Sequence, residues 1–179
     1  MKIICGLGNP DSKYAQTRHN MGFLVLDQFS EKNKIKIKEK KFHSLIVEFY
    51  FENQKILLVK PQTYMNHSGQ AVSEILSFFK EPSSNLLVIH DEIDFPFGKI
   101  KLKHGGGHAG HNGLKSIFDE IKDDSFYRLR VGIGRPRAKE EVADYVLNPF
   151  SKEQEKELET IFAQTTHEIE KFAKKISVC

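Results

Sequence analysis

The chain has 179 residues, a formal net charge of +3 and 39% hydrophobic residues. These values are typical of one globular domain, residues 1–179, that is long enough to bury a core. No apolar run approaches the roughly 20 residues of a membrane span, and the first residues lack the apolar segment of a signal peptide. The two cysteines, Cys5 and Cys179, make no disulfide framework, so we expect a cytoplasmic protein with free thiols.

The charges are distributed unevenly along the chain. Residues 99–137 carry nine lysines and arginines against four acidic residues, whereas residues 138–179 carry six against nine. A basic middle region beside an acidic end is typical of a local phosphate-binding face. Scattered solubilising charges would explain the same numbers, so charge alone leaves the partner open.

The N-terminal part of the chain predicts a strand, a loop and a helix. Residues 2–8 form an apolar run that ends in a glycine turn, which indicates a short buried strand. A polar loop follows over residues 9–19, and the apolar spacing then predicts a helix at about residues 20–33. Residues 31–41 hold six lysines and predict an exposed loop or strand edge.

The next segment predicts a hairpin and a second helix. Residues 45–51 and 55–60 are rich in strand-forming side chains, and the polar residues 52–54 between them predict the turn. Asn66 or Ser68 would cap the helix that follows. Its apolar positions fall at i, i+3, i+4 and i+7: Val72, Ile75, Leu76 and Phe79.

The second half of the chain continues this alternation. Residues 86–89 are all apolar, which predicts a strand buried on both faces that ends at His90-Asp91-Glu92. Residues 98–103 alternate apolar and charged side chains, which predicts a half-exposed strand. Helical spacing follows from Leu114, and residues 128–133 predict another strand.

Two helices complete the prediction. A short helix lies near residues 139–146, and Ser151 with Gln154 predicts a capping box that opens one long helix to about Ile176. Strands and helices thus alternate throughout. The predicted fold is a single α/β domain with a central, mixed but mostly parallel, twisted sheet flanked by helices.

Residues 104–114 form a glycine- and histidine-rich segment, here called the glycine box. It holds five of the twelve glycines and three of the eight histidines: His104, His108 and His111. Glycine loses the most conformational entropy on folding, so this density predicts a sharply turning backbone or one that lies against a bulky ligand. A metal ion, a phosphate or an acyl group are the alternatives.

The motifs argue against the first two alternatives. The box histidines are spaced by four and three residues, but the glycines between them disfavour a helix that would present them to one metal ion. The sequence also has neither an HExxH motif nor a cysteine pair. We therefore expect no metal. A phosphate-binding Gly-x-x-x-x-Gly-Lys-Ser/Thr loop is also absent. Gly6-Leu7-Gly8 begins like a dinucleotide fingerprint, but Asp11 stands at the third glycine position.

A histidine–carboxylate pair is the remaining catalytic hypothesis. In open α/β sheets, ligands bind beyond the carboxyl ends of the strands, and His19 and Asp91 both follow predicted strands. An aspartate can fix the tautomer of a histidine that acts as a base. The sequence has no Gly-x-Ser-x-Gly elbow and no motif around a cysteine, so water would be the nucleophile by elimination.

Six short blocks, taken together and in order, resemble the bacterial peptidyl-tRNA hydrolase family. The resemblance covers nearly the whole chain. The blocks, with the residues that match in each, are Gly6-Leu7-Gly8-Asn9-Pro10 with Tyr14, Thr17-Arg18-His19-Asn20, residues 60–69, His90-Asp91-Glu92-Ile93-Asp94, residues 105–114 and residues 128–134.

The resemblance implies a monomeric esterase, without metal or cofactor, that cleaves the bond between a peptide and the 3′ end of tRNA. By matching position, His19 is the base that activates water and Asp91 orients it. Asn9 would distinguish N-blocked peptidyl-tRNA from free aminoacyl-tRNA. The positions matched to substrate contacts are Tyr14, Tyr64, Asn66 and Asn112, and those matched to a clamp for the tRNA 5′ phosphate are Lys103 and Arg130.

Two departures and two alternatives accompany this prediction. Asp11 replaces the glycine that usually follows Asn-Pro, which puts the loop carrying Tyr14 in doubt. The short C-terminal end, residues 177–179, puts tail-assisted tRNA contacts in doubt.

A catalytically silent RNA-binding relative of the same fold and a zinc hydrolase are the competing functions. Within the glycine box, we expect Asn112 rather than a histidine to make the main chemical contribution.

Overall fold

The structure is a computed structural model that describes residues 1–138 and 141–175. Its strands form one seven-stranded sheet. The strands are β1 (Lys2–Gly6), β2 (Glu39–Lys41), β3 (Ser44–Phe51), β4 (Gln54–Pro61), β5 (Leu86–Glu92), β6 (Ile100–His104) and β7 (Tyr127–Gly132).

The strand order is β2-β3-β4-β1-β5-β7-β6. The four inner strands β4, β1, β5 and β7 are parallel, and the three outer pairings are antiparallel. Every residue of β1 and β5 is buried, as expected for parallel strands covered on both faces. The prediction of one mixed sheet is thus confirmed, and the sheet is parallel in its centre.

Helices cover both faces of this sheet. They are α1 (Met21–Lys32), α2 (Ser68–Phe79), α3 (Asn112–Ile121), α4 (Val142–Leu147), α5 (Lys152–Glu155) and α6 (Leu158–Lys174). Alternate residues of β1 point to opposite faces, so Ile4 packs with Phe29 and Phe172 of α1 and α6. Ile3 packs with Ile75 and Ile117 of α2 and α3 on the other face. No helix in the described part of the chain is long and apolar enough to cross a membrane.

The local predictions are confirmed for the hairpin and for α1, each to within one residue. The predicted N-caps of α2 are wrong: Ser68 is its first helical residue, and the cap position is His67, without a side-chain capping bond. Ser68 instead donates to the Met65 carbonyl oxygen at 2.9 Å. A short 3-10 turn at Met65–His67 takes up the residues from which the cap was expected.

Strand β5 is longer than predicted, because pairing with β7 continues through His90, Asp91 and Glu92. The prediction of one long C-terminal helix is also wrong. The capping box of Ser151 and Gln154 is present, but it opens only the four-residue α5, and α6 starts separately at Leu158. Residues 139–140 of the predicted short helix and the predicted end at Ile176 lie outside the described residues.

The direction of β6 explains the glycine box. Because β6 runs antiparallel to β7, its last residue, His104, lies opposite Tyr127 at the start of β7, whereas Asp91 lies opposite Val131 near its end. The chain must therefore return from the amino-terminal ends of the parallel strands to their carboxyl ends, where His111 contacts Asp91, within seven residues. Positive φ angles at Gly105, Gly106 and Gly110 permit that path.

Candidate active site

His19 lies in a 3-10 turn, Arg18–Asn20, between β1 and α1. Its two neighbours in the sequence hold this turn in place. The Arg18 guanidinium donates to Gln154 Oε1 at 3.0 Å and to the Tyr145 carbonyl oxygen at 3.1 Å. On the other side, Asn20 exchanges two 2.9 Å hydrogen bonds with the backbone of Asn9. The backbone that carries His19 is thus fixed from both ends.

The His19 ring lies against the carboxylate of Asp91. Its Nδ1 is 3.0 Å from Oδ2 and 3.1 Å from Oδ1, and only 12% of the His19 side chain and 2% of the Asp91 side chain are exposed. Burial would lower the pKa of His19, but Asp91 outweighs burial, so that pKa lies above its ordinary value. The N–H at Nδ1 donates to Asp91, which leaves Nε2 as the basic nitrogen.

Asp91 has a second histidine partner, which the sequence did not indicate. His111 Nε2 lies 2.8 Å from Asp91 Oδ1, and the rings of His19 and His111 are 5.1 Å apart. Burial would raise the pKa of Asp91, but the two histidines outweigh it and hold that pKa well below the ordinary range. One box histidine thus contacts the predicted pair directly, and the expectation that Asn112 makes the main chemical contribution of the box stays a prediction.

The same three side chains are close enough to share one ion. One ligand atom each from His19, Asp91 and His111 lies within 4.8 Å of the others. The sequence analysis considered a different set of possible ligands, His104, His108 and His111. The hydrogen bonds from His19 Nδ1 and His111 Nε2 to Asp91 already explain why these side chains lie together. To bind a cation instead, both of these nitrogens would have to lose their hydrogens.

Asn9 is placed beside His19 by its own hydrogen bonds. Its Oδ1 accepts from the Met65 backbone N–H at 2.8 Å, which assigns the amide orientation and leaves Nδ2 as a donor. Asn9 lines a cleft of about 320 Å³ together with His19. The loop after β1 and the turn after β4 are thus joined at the base of this cleft.

The four residues predicted to contact substrate all line this smaller cleft: Tyr14, Tyr64, Asn66 and Asn112. Tyr64 adopts φ +61°, which is rare for a residue other than glycine. Its hydroxyl donates to Asp11 Oδ2 at 2.8 Å. The aspartate that departs from the family pattern thus ties the loop after β1 to Tyr64, and Tyr14 still reaches the cleft.

A larger cleft of about 520 Å³ lies on the other side of His19. It shares His19 and Asn112 with the smaller one, and basic side chains line it: Lys103, Arg128 and Arg130. Arg130 Nε donates to Glu92 Oε2 at 2.9 Å, so its charge is partly compensated. Arg128 is buried and donates to the carbonyl oxygens of Gly105 and Gly107, and it thereby fixes the wall formed by the glycine box.

A buried histidine completes the surroundings of Asp91. His90 Nδ1 lies 2.7 Å from the Asp91 carbonyl oxygen, and its Nε2 is buried without a partner among the described residues. Burial, followed by the proximity of His111, lowers the pKa of His90 to about 3. His90 is therefore neutral near pH 7.

A mixed α/β sheet with a buried histidine–aspartate pair at the junction of two clefts has the geometry expected of a hydrolase that uses a general base. The particular family follows from comparison with known proteins. The chain belongs to the peptidyl-tRNA hydrolase family, since the family model described as Peptidyl-tRNA hydrolase matches residues 3–178.

Individual relatives agree with this assignment. A peptidyl-tRNA hydrolase from Geotalea daltonii is 51% identical over 154 residues, which is 86% of this chain and 80% of that protein. One from Brevibacillus brevis is 48% identical over 84% of this chain and 79% of its own length. A crystal structure of peptidyl-tRNA hydrolase from Acinetobacter baumannii has a TM-score of 0.92 and 39% identity, and covers 97% of this chain and 89% of its own.

Proposed function

We propose that this protein hydrolyses the ester bond between an N-blocked peptide and the 3′ end of tRNA, which recycles peptidyl-tRNA released from stalled ribosomes. One observation carries the proposal: the His19–Asp91 pair lies where a basic cleft meets a cleft lined by asparagines and tyrosines. A substrate with an anionic half and a peptide half would place its ester at that junction. The tRNA end occupies the larger cleft and the peptide occupies the smaller one.

His19 is the general base in this mechanism. Its Nε2 takes a proton from water while the oxygen of that water attacks the ester carbonyl carbon. When the tetrahedral intermediate collapses, the C–O bond to the tRNA 3′ oxygen breaks and that oxygen receives the proton back from His19. Asp91 keeps the correct nitrogen basic and stabilises the imidazolium between the two steps.

The asparagines supply neutral hydrogen-bond donors around the ester. Asn66 and Asn112 can stabilise the developing oxyanion without a fixed charge, and loss of one such donor costs roughly 10²–10³-fold in rate in analogous sites. Asn9, whose Nδ2 is left as a donor, contacts the peptide carbonyl that a free aminoacyl-tRNA lacks. Tyr14 and Tyr64 flank the peptide in the same cleft.

Lys103 and Arg130 are proposed to clamp the tRNA 5′ phosphate from the larger cleft. Replacement of either by alanine should weaken tRNA binding and flatten its dependence on salt, because each phosphate contact releases counterions. Binding of a tRNA minihelix would be measured between about 50 and 200 mM salt. Since Glu92 already compensates Arg130, the larger change in slope is expected for Lys103→Ala. An unchanged slope in both variants would contradict the clamp.

The remaining expectations complete this proposal. The 179 residues act as one catalytic domain, as a cytoplasmic monomer, with no cofactor and no metal. The competing interpretation, an RNA-binding relative without activity, would not require the full set of Asn9, His19, Asn66, Asp91 and Asn112, and all five line the two clefts.

The test compares two substrates that differ only at the amino group. N-acetyl-aminoacyl-tRNA and its unacetylated counterpart are incubated with the protein, and release of the amino acid is followed over time. We expect rapid cleavage of the acetylated ester only, and unchanged cleavage in EDTA. Cleavage of neither substrate would favour the silent relative, equal cleavage of both would contradict the role of Asn9, and loss of activity in EDTA would favour a metal-dependent hydrolase.

A further inference from the structure

Asp91 divides its carboxylate between two imidazoles rather than serving His19 alone. Its Oδ1 lies 2.8 Å from His111 Nε2, and both of its oxygens lie within 3.1 Å of His19 Nδ1. The three side chains are nearly excluded from solvent, with exposed fractions of 12% for His19, 2% for Asp91 and 10% for His111. Two donors that share one carboxylate compete for its negative charge, so each reduces the attraction that the other donor experiences.

The tautomer of His111 is fixed from its other side. His111 is the N-cap of α3, and its Nδ1 accepts a hydrogen bond from the Leu114 backbone N–H at 3.3 Å. A ring nitrogen that accepts this bond carries no hydrogen, so the hydrogen of a neutral His111 is on Nε2, where it donates to Asp91. A helix N-terminus therefore determines how Asp91 is hydrogen-bonded.

We propose that His111 is a positioning residue that keeps His19 less basic by sharing Asp91. With His111 in place, part of the Asp91 charge is neutralised, and protonated His19 gains less from it. Without that donor, Asp91 would stabilise protonated His19 more strongly, and a higher pH would be needed to free Nε2. The same cap begins α3 at Asn112, so it also sets the position of a substrate-contacting residue relative to the base.

Other ionisable groups face His19 across the larger cleft, and they stay constant in the test. They are His90 and Glu92 of β5, Lys103 of β6, His108 of the glycine box, and Arg128 and Arg130 of β7. Tyr14 and Tyr64 line the smaller cleft with His19. From α4 the site is lined by apolar side chains, Val142, Ala143 and Val146. Arg18, on the same turn as His19, is directed away to Tyr145 and Gln154.

Two substitutions separate the functions of the two ring nitrogens. His111→Asn keeps an oxygen near the position of Nδ1 and so preserves an N-cap, but its side chain is too short to donate to Asp91. His111→Gln places an amide N–H near the position of Nε2 and so preserves the donor, but it loses the cap. His104→Asn is the matched control, because the His104 ring packs at a tilt against Tyr127 and lines neither cleft.

The measurement is the NMR titration of the His19 ring, assigned by the signal missing in His19→Ala. For His111→Asn we expect the His19 midpoint to rise by roughly 0.5–1 pH unit, a three- to tenfold change in the fraction of neutral His19 on the acid side. His111→Gln and His104→Asn should keep the wild-type midpoint, whereas His111→Gln should lower the unfolding temperature. An unmoved or lowered midpoint in His111→Asn, or equal shifts in both His111 variants, would overturn the proposal.

A second readout rests on the proposed function. The acid limb of kcat/KM for N-acetyl-aminoacyl-tRNA should move to higher pH in His111→Asn, by the same amount as the NMR midpoint. If the wild-type protein does not cleave this ester, the proposed function fails while the NMR titration still tests His111. If cleavage occurs but its acid limb does not move, the inference about His111 fails and the proposed function stands.

Discussion

At the scale of single residues, the site depends on side chains with several hydrogen bonds at once. Asn9 Oδ1 accepts a hydrogen bond from the Met65 N–H, which leaves its Nδ2 free to donate. The Asp91 carboxylate accepts hydrogen bonds from His19 and His111. Each polar group is thereby oriented before any substrate binds. Such preorganisation matters because groups that need not reorganise during the reaction stabilise charge more effectively.

His19→Ala tests the general base directly. We expect kcat/KM for N-acetyl-aminoacyl-tRNA to fall by at least two orders of magnitude, since general-base catalysis contributes roughly 10²–10⁴-fold. Binding of tRNA should persist, because Lys103, Arg128 and Arg130 still supply the positive charge of the larger cleft. Turnover close to that of the wild-type protein would end the assignment of His19 as the base.

At the scale of elements, the turn that carries His19 is held in place by neighbouring segments of the chain. The capping-box residue Gln154 uses one oxygen for two purposes: its Oε1 accepts from the Ser151 backbone and from Arg18, next to His19. On the other side, α1 lies directly against β1 and β5. The ends of α1, α5, β1 and β5 thus meet around His19.

Gly22→Ala tests the close approach of α1 to the sheet. A methyl group there would lie 2.3 Å from Leu7 N and 2.4 Å from the Ile89 carbonyl oxygen, and backbone atoms cannot yield without displacing α1. We expect destabilisation of several kcal/mol, above the roughly 1–3 kcal/mol of ordinary overpacking. Thermal unfolding would measure it, with Gly107→Ala as the control, because a Cβ at Gly107 meets no atom within 4 Å. Similar unfolding temperatures for both variants would refute the close contact.

At the scale of the whole molecule, the folded protein keeps one histidine neutral inside the sheet. His90 is 2% exposed, and burial holds its pKa at about 3. The folded-state pKa is below the unfolded value of about 6.5, so the unfolded chain binds the additional proton. The resulting contribution to stability is present above about pH 6.5 and is lost as the pH falls towards 3.

His90→Phe should therefore change how stability responds to acid. Between about pH 6 and 4, a difference of one proton corresponds to about 1.4 kcal/mol per pH unit in the free energy of unfolding. We expect the wild-type protein to lose stability more steeply than the variant by about that amount, measured by urea unfolding at several pH values. Parallel curves for the two proteins would show that His90 is not held neutral in the fold.

The sequence by itself determined the order of strands and helices, because apolar side chains repeat with a period of two in strands and about 3.6 in helices. The family resemblance that the separate motifs carry also predicted which residues line the site, from Asn9 and His19 to Asp91 and Asn112. Only the tertiary structure decided the direction of β6, the division of the last helix, the pairing of Arg130 with Glu92, and the contact of His111 with Asp91. These features depend on contacts between distant parts of the chain. The sequence around a single polar side chain does not indicate which residue that side chain will contact in the fold.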